Sequence, residues 1–237
     1  MNKFSHKGKK KKKLVTRLFN DIAQRYDFLN HVFSFGVDYY WRYRLVKLIQ
    51  PLANYNILDV ATGTGDVAFK LSPKSKSITG IDIASKMIEL ANVKRIKKNA
   101  KNTNFLVGDA ENLPFSDNSF DLVTISYGYR NISNQVKALK EFNRILKMNG
   151  KLYILEFSEP TNFIVSPFYK FYSYKVMPFI ASIFTKKYAY DYLPESIDMF
   201  PNRKSIKKTI QDNGFENVQI IDMTFGISTI FVAQKNE

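Results

Sequence analysis

A chain of 237 residues that is 45% hydrophobic and 24% charged can bury one sizeable core, so a single elaborated domain is expected. It contains no cysteine, which excludes disulfides, thiolate zinc sites, iron–sulfur clusters and a cysteine nucleophile, and fits a reducing cytoplasm. Lysine and arginine number 36 against 21 acids, a net charge of +15, with seven lysines in the first thirteen residues.

That opening run, MNKFSHKGKKKKK, is not followed by the apolar stretch of a secretory signal. Residues 1–13 read as a basic disordered arm that either touches anionic lipid or RNA or stays solvated. Residues 14–237 read as one domain, beginning with a helical cover over 14–52. In TRLFNDIAQRYDFLN, Thr16 to Asn30, the residues Leu18, Ile22 and Tyr26 recur every four positions, the spacing of one helix face. A second helix is expected from Tyr39 to Gln50, stopped by Pro51.

Beyond Asn56 short apolar runs alternate with amphipathic stretches. NILDV, SITGID, TNFLVGD, FDLVTIS and GKLYILEFS read as five strands; DVAFKLS, SKMIELANVKRIKK and NQVKALKEFNRILK read as helices between them. This alternation predicts an α/β fold with a doubly wound, mostly parallel sheet. At the C-terminus NVQIIDMTF and ISTIFVAQ are joined so closely near Gly226 that only an antiparallel hairpin can link them. Residues 160–203 differ in character: dense in Phe and Tyr, they read as an aromatic lid of short helices broken by Pro167, Pro178 and Pro194. No run approaches the ~18 apolar residues of a membrane span, so a soluble or peripheral, cytoplasmic protein is expected.

The first strand turns through Gly63-Thr64-Gly65, with Asp82 ending the second strand about twenty residues on, as in dinucleotide sites. The pattern alone serves NAD and S-adenosylmethionine equally. Charge separates them. Asp59 and Asp66 bracket the turn and would repel a pyrophosphate, whereas a sulfonium and an ammonium would be attracted. The Lys-Ser/Thr pair of a P-loop is missing, and the one Tyr-x-x-x-Lys pair, Tyr43 and Lys47, precedes the first strand, where a short-chain dehydrogenase cannot use it. Asp109, ending the third strand, either accepts from an adenine amino group or caps the next segment, and Ala110 leaves room for the ring. S-adenosylmethionine is therefore the expected cofactor, with no metal: no His and carboxylate cluster has ligand spacing.

Together YDFLNHVFSFGVDYYWR, DVATGTGD, DAENLPFSDNSFD, ISYGYRN, RILKMNGKLYILEFS and YLPESI resemble the ubiquinone/menaquinone-biosynthesis C-methyltransferases, whose menaquinone members are demethylmenaquinone methyltransferases. The resemblance covers nearly everything after the basic run. It implies a class I methyltransferase with a seven-stranded sheet, moving a methyl group to a ring carbon of a prenylated quinol, demethylmenaquinol to menaquinol, with a benzoquinol as the alternative. It also implies donor contacts at Thr64, Asp82, Asp109, Ala110 and Ser126. The chain departs from the family at Met148-Asn149, where Pro-Gly is usual, and at Asp38-Tyr39, where many members carry His-Arg.

The reaction needs a ring hydroxyl deprotonated, although a phenol titrates near 10. Arg130, after the fourth strand, is the first candidate to stabilise a phenolate at the lip of the donor site; otherwise it holds the loop by a salt bridge. Asn131 either holds a quinol oxygen or caps the following helix. His31 and Asp27, in the N-terminal cover, are candidate bases. Tyr127 and Tyr129 either stack on the ring or fill core. The aromatic lid either suits a prenyl tail or only packs over the sheet, and the lysines of KFYSYK suit lipid headgroups at a membrane surface. Homo-oligomerisation is left open. No nucleic-acid partner is expected, because an Asn/Asp-Pro-Pro-aromatic motif of base methylators is replaced by SYGYRN. An idle donor-binding scaffold would show a damaged glycine turn, and this one is intact.

Overall fold

The computed structural model describes residues 8–49, 53–160, 162–177, 179 and 187–236. Seven strands form one sheet: β1 (Asn56–Val60), β2 (Ser77–Asp82), β3 (Thr103–Val107), β4 (Phe120–Ser126), β5 (Leu146–Phe157), β6 (Phe215–Met223) and β7 (Ser228–Lys235). Their order is β3-β2-β1-β4-β5-β7-β6, parallel except for β7, which runs antiparallel to both neighbours. The central strands read as unbroken apolar runs because helices cover both faces; Ile57, Leu58, Val123 and Ile125 are completely buried. Strand order reverses between β1 and β4, and the crevice at their carboxyl ends is where such sheets take ligands.

Helices α1 (Gly8–Ile22), α2 (Tyr26–Phe33) and α3 (Val37–Leu48) precede the sheet; α4 (Asp66–Leu71), α5 (Ser85–Lys97) and α6 (Gln135–Ile145) connect its strands. After β5 come α7 (Val165–Phe171), α8 (Lys187–Asp198) and α9 (Arg203–Gln211). The core has two parts. Leu139, Phe142 and Phe231 belong to one, and Trp41, Leu45 and Tyr153 to the other.

The N-terminus corrects two expectations. Gly8 to Lys13 are not a disordered arm but the first turns of α1, while residues 1–7 lie outside the described residues. Lysine is a good helix former, and two of these lysines find acceptors in the segments that follow β3 and β4. Lys11 Nζ donates to the carbonyls of Arg130 at 2.8 Å and Ile132 at 3.0 Å. Lys12 Nζ lies 2.5 Å from Asp109 and 3.1 Å from Glu111. The helix expected over Thr16 to Asn30 is broken by a 3-10 turn at Ala23–Arg25, where Ala23 packs against Ala84 and Met87; tertiary packing overrides the four-residue repeat.

Prolines in the lid do less breaking than expected. Pro167 sits in the first turn of α7, where its missing N–H costs nothing, and Pro194 lies inside α8. Pro178 is outside the described residues. α9 was not anticipated, although its signals are local: Asn202 accepts from the Ser205 N–H at 3.0 Å, and Ile206 and Ile210 are buried one turn apart. At the Met148-Asn149 departure β5 starts early, at Leu146, and its pairing with β4 slips between Phe120 and Leu122; Asn149 takes a left-handed φ of 61°.

Candidate active site

Two cavities meet at the carboxyl ends of the central strands. The first encloses about 80 Å³ and is lined by Gly63, Asp82, Asp109, Ala110, Ser126 and Asn131, among others. Asp82 Oδ2 accepts the Gly63 N–H at 2.9 Å, and Oδ1 accepts the Ala84 N–H at 2.9 Å. The carboxylate thus ties the glycine turn to the start of α5. Burial pushes the Asp82 carboxyl above its ordinary range, against the pull of these N–H groups. Ser126 Oγ is buried with no hydrogen-bond partner among the described residues. An orphaned hydroxyl on a cavity wall is what a polar ligand would satisfy.

The turn itself needs its glycines. Gly65 has φ of +88°, and a Cβ there would lie 2.8 Å from Phe69 and 3.0 Å from Phe105. Gly128, on the loop after β4, allows a second close approach: a Cβ would fall 2.4 Å from that of Ala61. The loops after β1 and β4 therefore touch, and Ala61 (φ 50°) and Tyr127 (φ 58°) take left-handed conformations beside that contact.

The acids that bracket the turn do not face this cavity. Asp59 is 1% exposed, accepting from Thr62 and Thr124 hydroxyls at 2.6 Å each; it braces the turn from beneath, and burial raises its carboxyl to about 6. Asp66 lies 3.1 Å from Lys94. Thr64 Oγ1 donates to Asp27 at 2.7 Å and accepts from Lys94 at 2.8 Å, so its hydroxyl also points away. Gly65 serves the turn without lining the cavity. Asp82, Asp109 and Glu111 are the carboxylates that reach it, and Lys12 already sits on Asp109 and Glu111.

The candidate bases are displaced too. Asp27 is ion-paired with Lys94 at 2.6 Å. His31 Nδ1 lies 2.9 Å from Asp38, and its ring stacks on Tyr39 at 4.0 Å. Both line an open basic groove with Lys70, Lys97 and Lys101, not either cavity. Asn131 does not cap α6; Asn134 does, accepting from Lys137 N–H at 3.0 Å. Asn131 instead accepts from the Tyr192 hydroxyl at 2.8 Å and donates to the Tyr127 carbonyl.

The second cavity encloses about 310 Å³ and is largely apolar, walled by Trp41, Phe157, Tyr172 and Met177. Phe19, Tyr26 and Tyr127 line both cavities and form the partition between them. Arg130 lines this second cavity and is 7% exposed, so it sits behind Tyr127 rather than at the lip of the first. Its Nη1 donates to Glu156 and, at 2.8 Å, to the Tyr127 carbonyl, and its backbone N–H reaches Glu156 at 3.0 Å. Burial works against the guanidinium charge, but Glu156 holds it above its ordinary range. The ion pair that holds the loop is present, and the side chain faces the second chamber rather than the lip of the first. Tyr127 lies on the partition, while Tyr129 fills core. Glu156, inside the quoted LEFS, carried no assigned role in the sequence; its total burial at a strand end is visible only in the fold.

Comparison with known proteins agrees with this layout. A sequence profile described as the ubiE/COQ5 methyltransferase family matches residues 6–235. The chain is 44% identical over 99% of its length to the whole of a Geotalea daltonii protein named ubiquinone/menaquinone biosynthesis C-methyltransferase UbiE. It is 42% identical to a Thermotoga maritima demethylmenaquinone methyltransferase, covering 95% of this chain and 97% of that one. A crystal structure of a SAM-dependent methyltransferase from Aquifex aeolicus superimposes with a TM-score of 0.61 over 82% of this chain and 89% of its own, at 18% identity, a likeness of fold.

Proposed function

The chain belongs to the ubiE/COQ5 methyltransferase family, and on that premise we propose that it transfers a methyl group from S-adenosylmethionine to a ring carbon of a prenylated quinol. The observation that carries the proposal is the pair of cavities sharing one aromatic wall. The first offers carboxylates and an orphaned hydroxyl to a polar, cationic donor; the second offers rings to an apolar acceptor.

Asp82 would take the ribose hydroxyls, Asp109 and Ala110 the adenine edge, and Ser126 Oγ a polar atom between them. When bound, the donor supplies an electrophilic methyl on its sulfonium. Phe19, Tyr26 and Tyr127 would set the line along which donor carbon and ring carbon approach, about 3–3.5 Å apart before transfer. Arg130, held by Glu156, would place a fixed positive end beside the developing phenolate without itself losing a proton.

Purified protein given labelled donor and three acceptors, a reduced demethylnaphthoquinol, its benzoquinol counterpart and RNA, should methylate the naphthoquinol. Transfer to RNA alone would overturn the proposal.

A membrane source for the acceptor is supported by exposed rings on the lid. Phe163, Phe168, Phe171 and Phe179 are 63–84% exposed, with Lys170 and Lys175 beside them on the surface. No helix among the described residues is long and apolar enough to cross a membrane, so attachment would be peripheral. Buried rings plus lysines near anionic headgroups suit that attachment. Sedimentation with anionic vesicles should fall at least fivefold in a Phe168→Ser/Phe171→Ser double variant; unchanged sedimentation would remove this surface from the account.

A further inference from the structure

Arg42 is the second cation of the apolar chamber, and nothing in the glycine turn or the donor cavity explains it. It projects from α3, is 6% exposed, and lines both the basic groove and the chamber that also holds Arg130. Its Nη1 donates to Asp38, while Nε and Nη2 make no hydrogen bond with any described residue. Neither nitrogen is sealed inside the protein, so both are open to an acceptor that enters beside them. The guanidinium carbon lies 5.7 Å from the centre of the Tyr127 ring, on the partition itself. Tyr26, also on the partition, feels the charges of both Arg42 and Arg130, so the two cations flank one space.

The support beneath Arg42 is elaborate for a surface-helix arginine. Asp38, 3% exposed, accepts from Ser34 Oγ at 2.6 Å and meets His31 Nδ1 at 2.9 Å in addition to Arg42. Burial opposes the Asp38 charge, yet Ser34, His31 and Arg42 together hold its carboxyl below the usual range. An acid kept ionised in this way is a fixed anchor. It spends one nitrogen of the guanidinium and leaves the others free.

Resting on the quinol proposal above, we propose that Arg42 binds a ring oxygen of the acceptor, so that the two para oxygens are held by two guanidiniums, Arg130 at one and Arg42 at the other, with Asp38 as a positioning residue for Arg42. Each arginine already has a carboxylate partner, so neither leaves a bare charge when the chamber empties. What each adds on binding is directed N–H donors, which favour an oxygen more as it gains negative charge.

The test uses the full chain and its single tryptophan, Trp41, which lines the same chamber. Quenching of Trp41 by a short-chain naphthoquinone reports acceptor binding without turnover. In Arg42→Met the acceptor affinity and KM should weaken about 10- to 100-fold, the range for a hydrogen bond to a charged group. Donor affinity by calorimetry should be unchanged. Asp38 keeps Ser34 and His31 in that variant, which favours folding, and thermal unfolding checks it. Arg42→Lys should recover part of the binding. The acid limb of kcat against pH should shift upward by about one pH unit in Arg42→Met. Tyr26 on α2, Asp66 on α4, and Tyr127, which also face Arg42, are unaltered across the comparison. Wild-type quenching, KM and pH profile in Arg42→Met would overturn the assignment. Should Arg42→Met not fold, unaltered quinone affinity in Arg42→Lys together with Asp38→Asn would do so. Failure of the wild-type chain to methylate any quinol would sink the quinol proposal instead, a result separate from whether Trp41 is quenched.

Discussion

Asp82→Ala is expected to abolish measurable binding of S-adenosylmethionine. Two hydroxyls of a ribose would lose charge-assisted partners, each worth roughly 1.5–3 kcal/mol, so affinity should fall about 100-fold at the least. The loss has a second source. Asp82 also receives the N–H groups of Gly63 and Ala84, and without it the glycine turn is no longer tied to α5. Stability should suffer far less than binding. The Asp82 carboxyl is raised by burial, and a carboxyl raised in the folded state contributes stability below its unfolded value and withdraws it as pH rises through the folded one. At neutral pH its removal therefore relieves a desolvated charge while exposing two N–H groups. Calorimetric titration with the donor, beside thermal unfolding, separates the two effects. Donor affinity within a factor of a few of wild type would remove Asp82 from the site.

Glu156→Ala should be the most destabilising single change in the site, at about 3–5 kcal/mol, the usual cost of stranding one charge of a buried pair. Glu156 is wholly buried and accepts from Arg130 twice, at the side chain and at the backbone N–H, and from the Phe157 N–H at 2.9 Å. Glu156→Gln keeps the shape and one of the two acceptor oxygens and should recover part of the loss, which denaturant unfolding can measure. Equal loss in the two variants would mean that charge, not shape, matters there. The same pairing complicates Arg130→Ala, which strands Glu156. Its effect on turnover is interpretable only beside its folding free energy, and Arg130→Lys is the better probe of catalysis.

Much of the fold was legible because its signals are local. Five apolar runs and the tight C-terminal link specify a parallel sheet with an antiparallel end, and the described strands follow them. The N-terminal helix was misread for the opposite reason. Lys11 and Lys12 look like a solvated run until carbonyls at 130 and 132, and the carboxylates of Asp109 and Glu111, are brought beside them by the fold. The site shows the same division. Asp82 and Asp109 line the first cavity because strand ends meet the crevice. Asp59 and Asp66 sit equally close in sequence, but alternation along a strand and rotation along a helix turn them elsewhere. The charge argument for a cationic guest leaned on Asp59 and Asp66, whereas the acids that line the first cavity are Asp82, Asp109 and Glu111. His31 and Asp27 were read as bases from residue type, and only their partners, Asp38 and Lys94, assign them to the support of α3 and of the turn. Glu156 escaped notice because its partner Arg130 lies far away in sequence, and Arg42 because its helical spacing from Asp38 does not reveal that the pair is buried.

The central claim is that donor and acceptor occupy separate cavities on either side of Phe19, Tyr26 and Tyr127. A crystal structure of the chain with S-adenosylhomocysteine and a short-chain naphthoquinone tests it most directly. The account predicts the thioether sulfur in the cavity of Asp82 and Ser126, and the quinone ring in the chamber of Arg130 and Arg42, facing the sulfur across the partition. A ring seated in the basic groove beside Lys94, or both molecules confined to the first cavity, would contradict it.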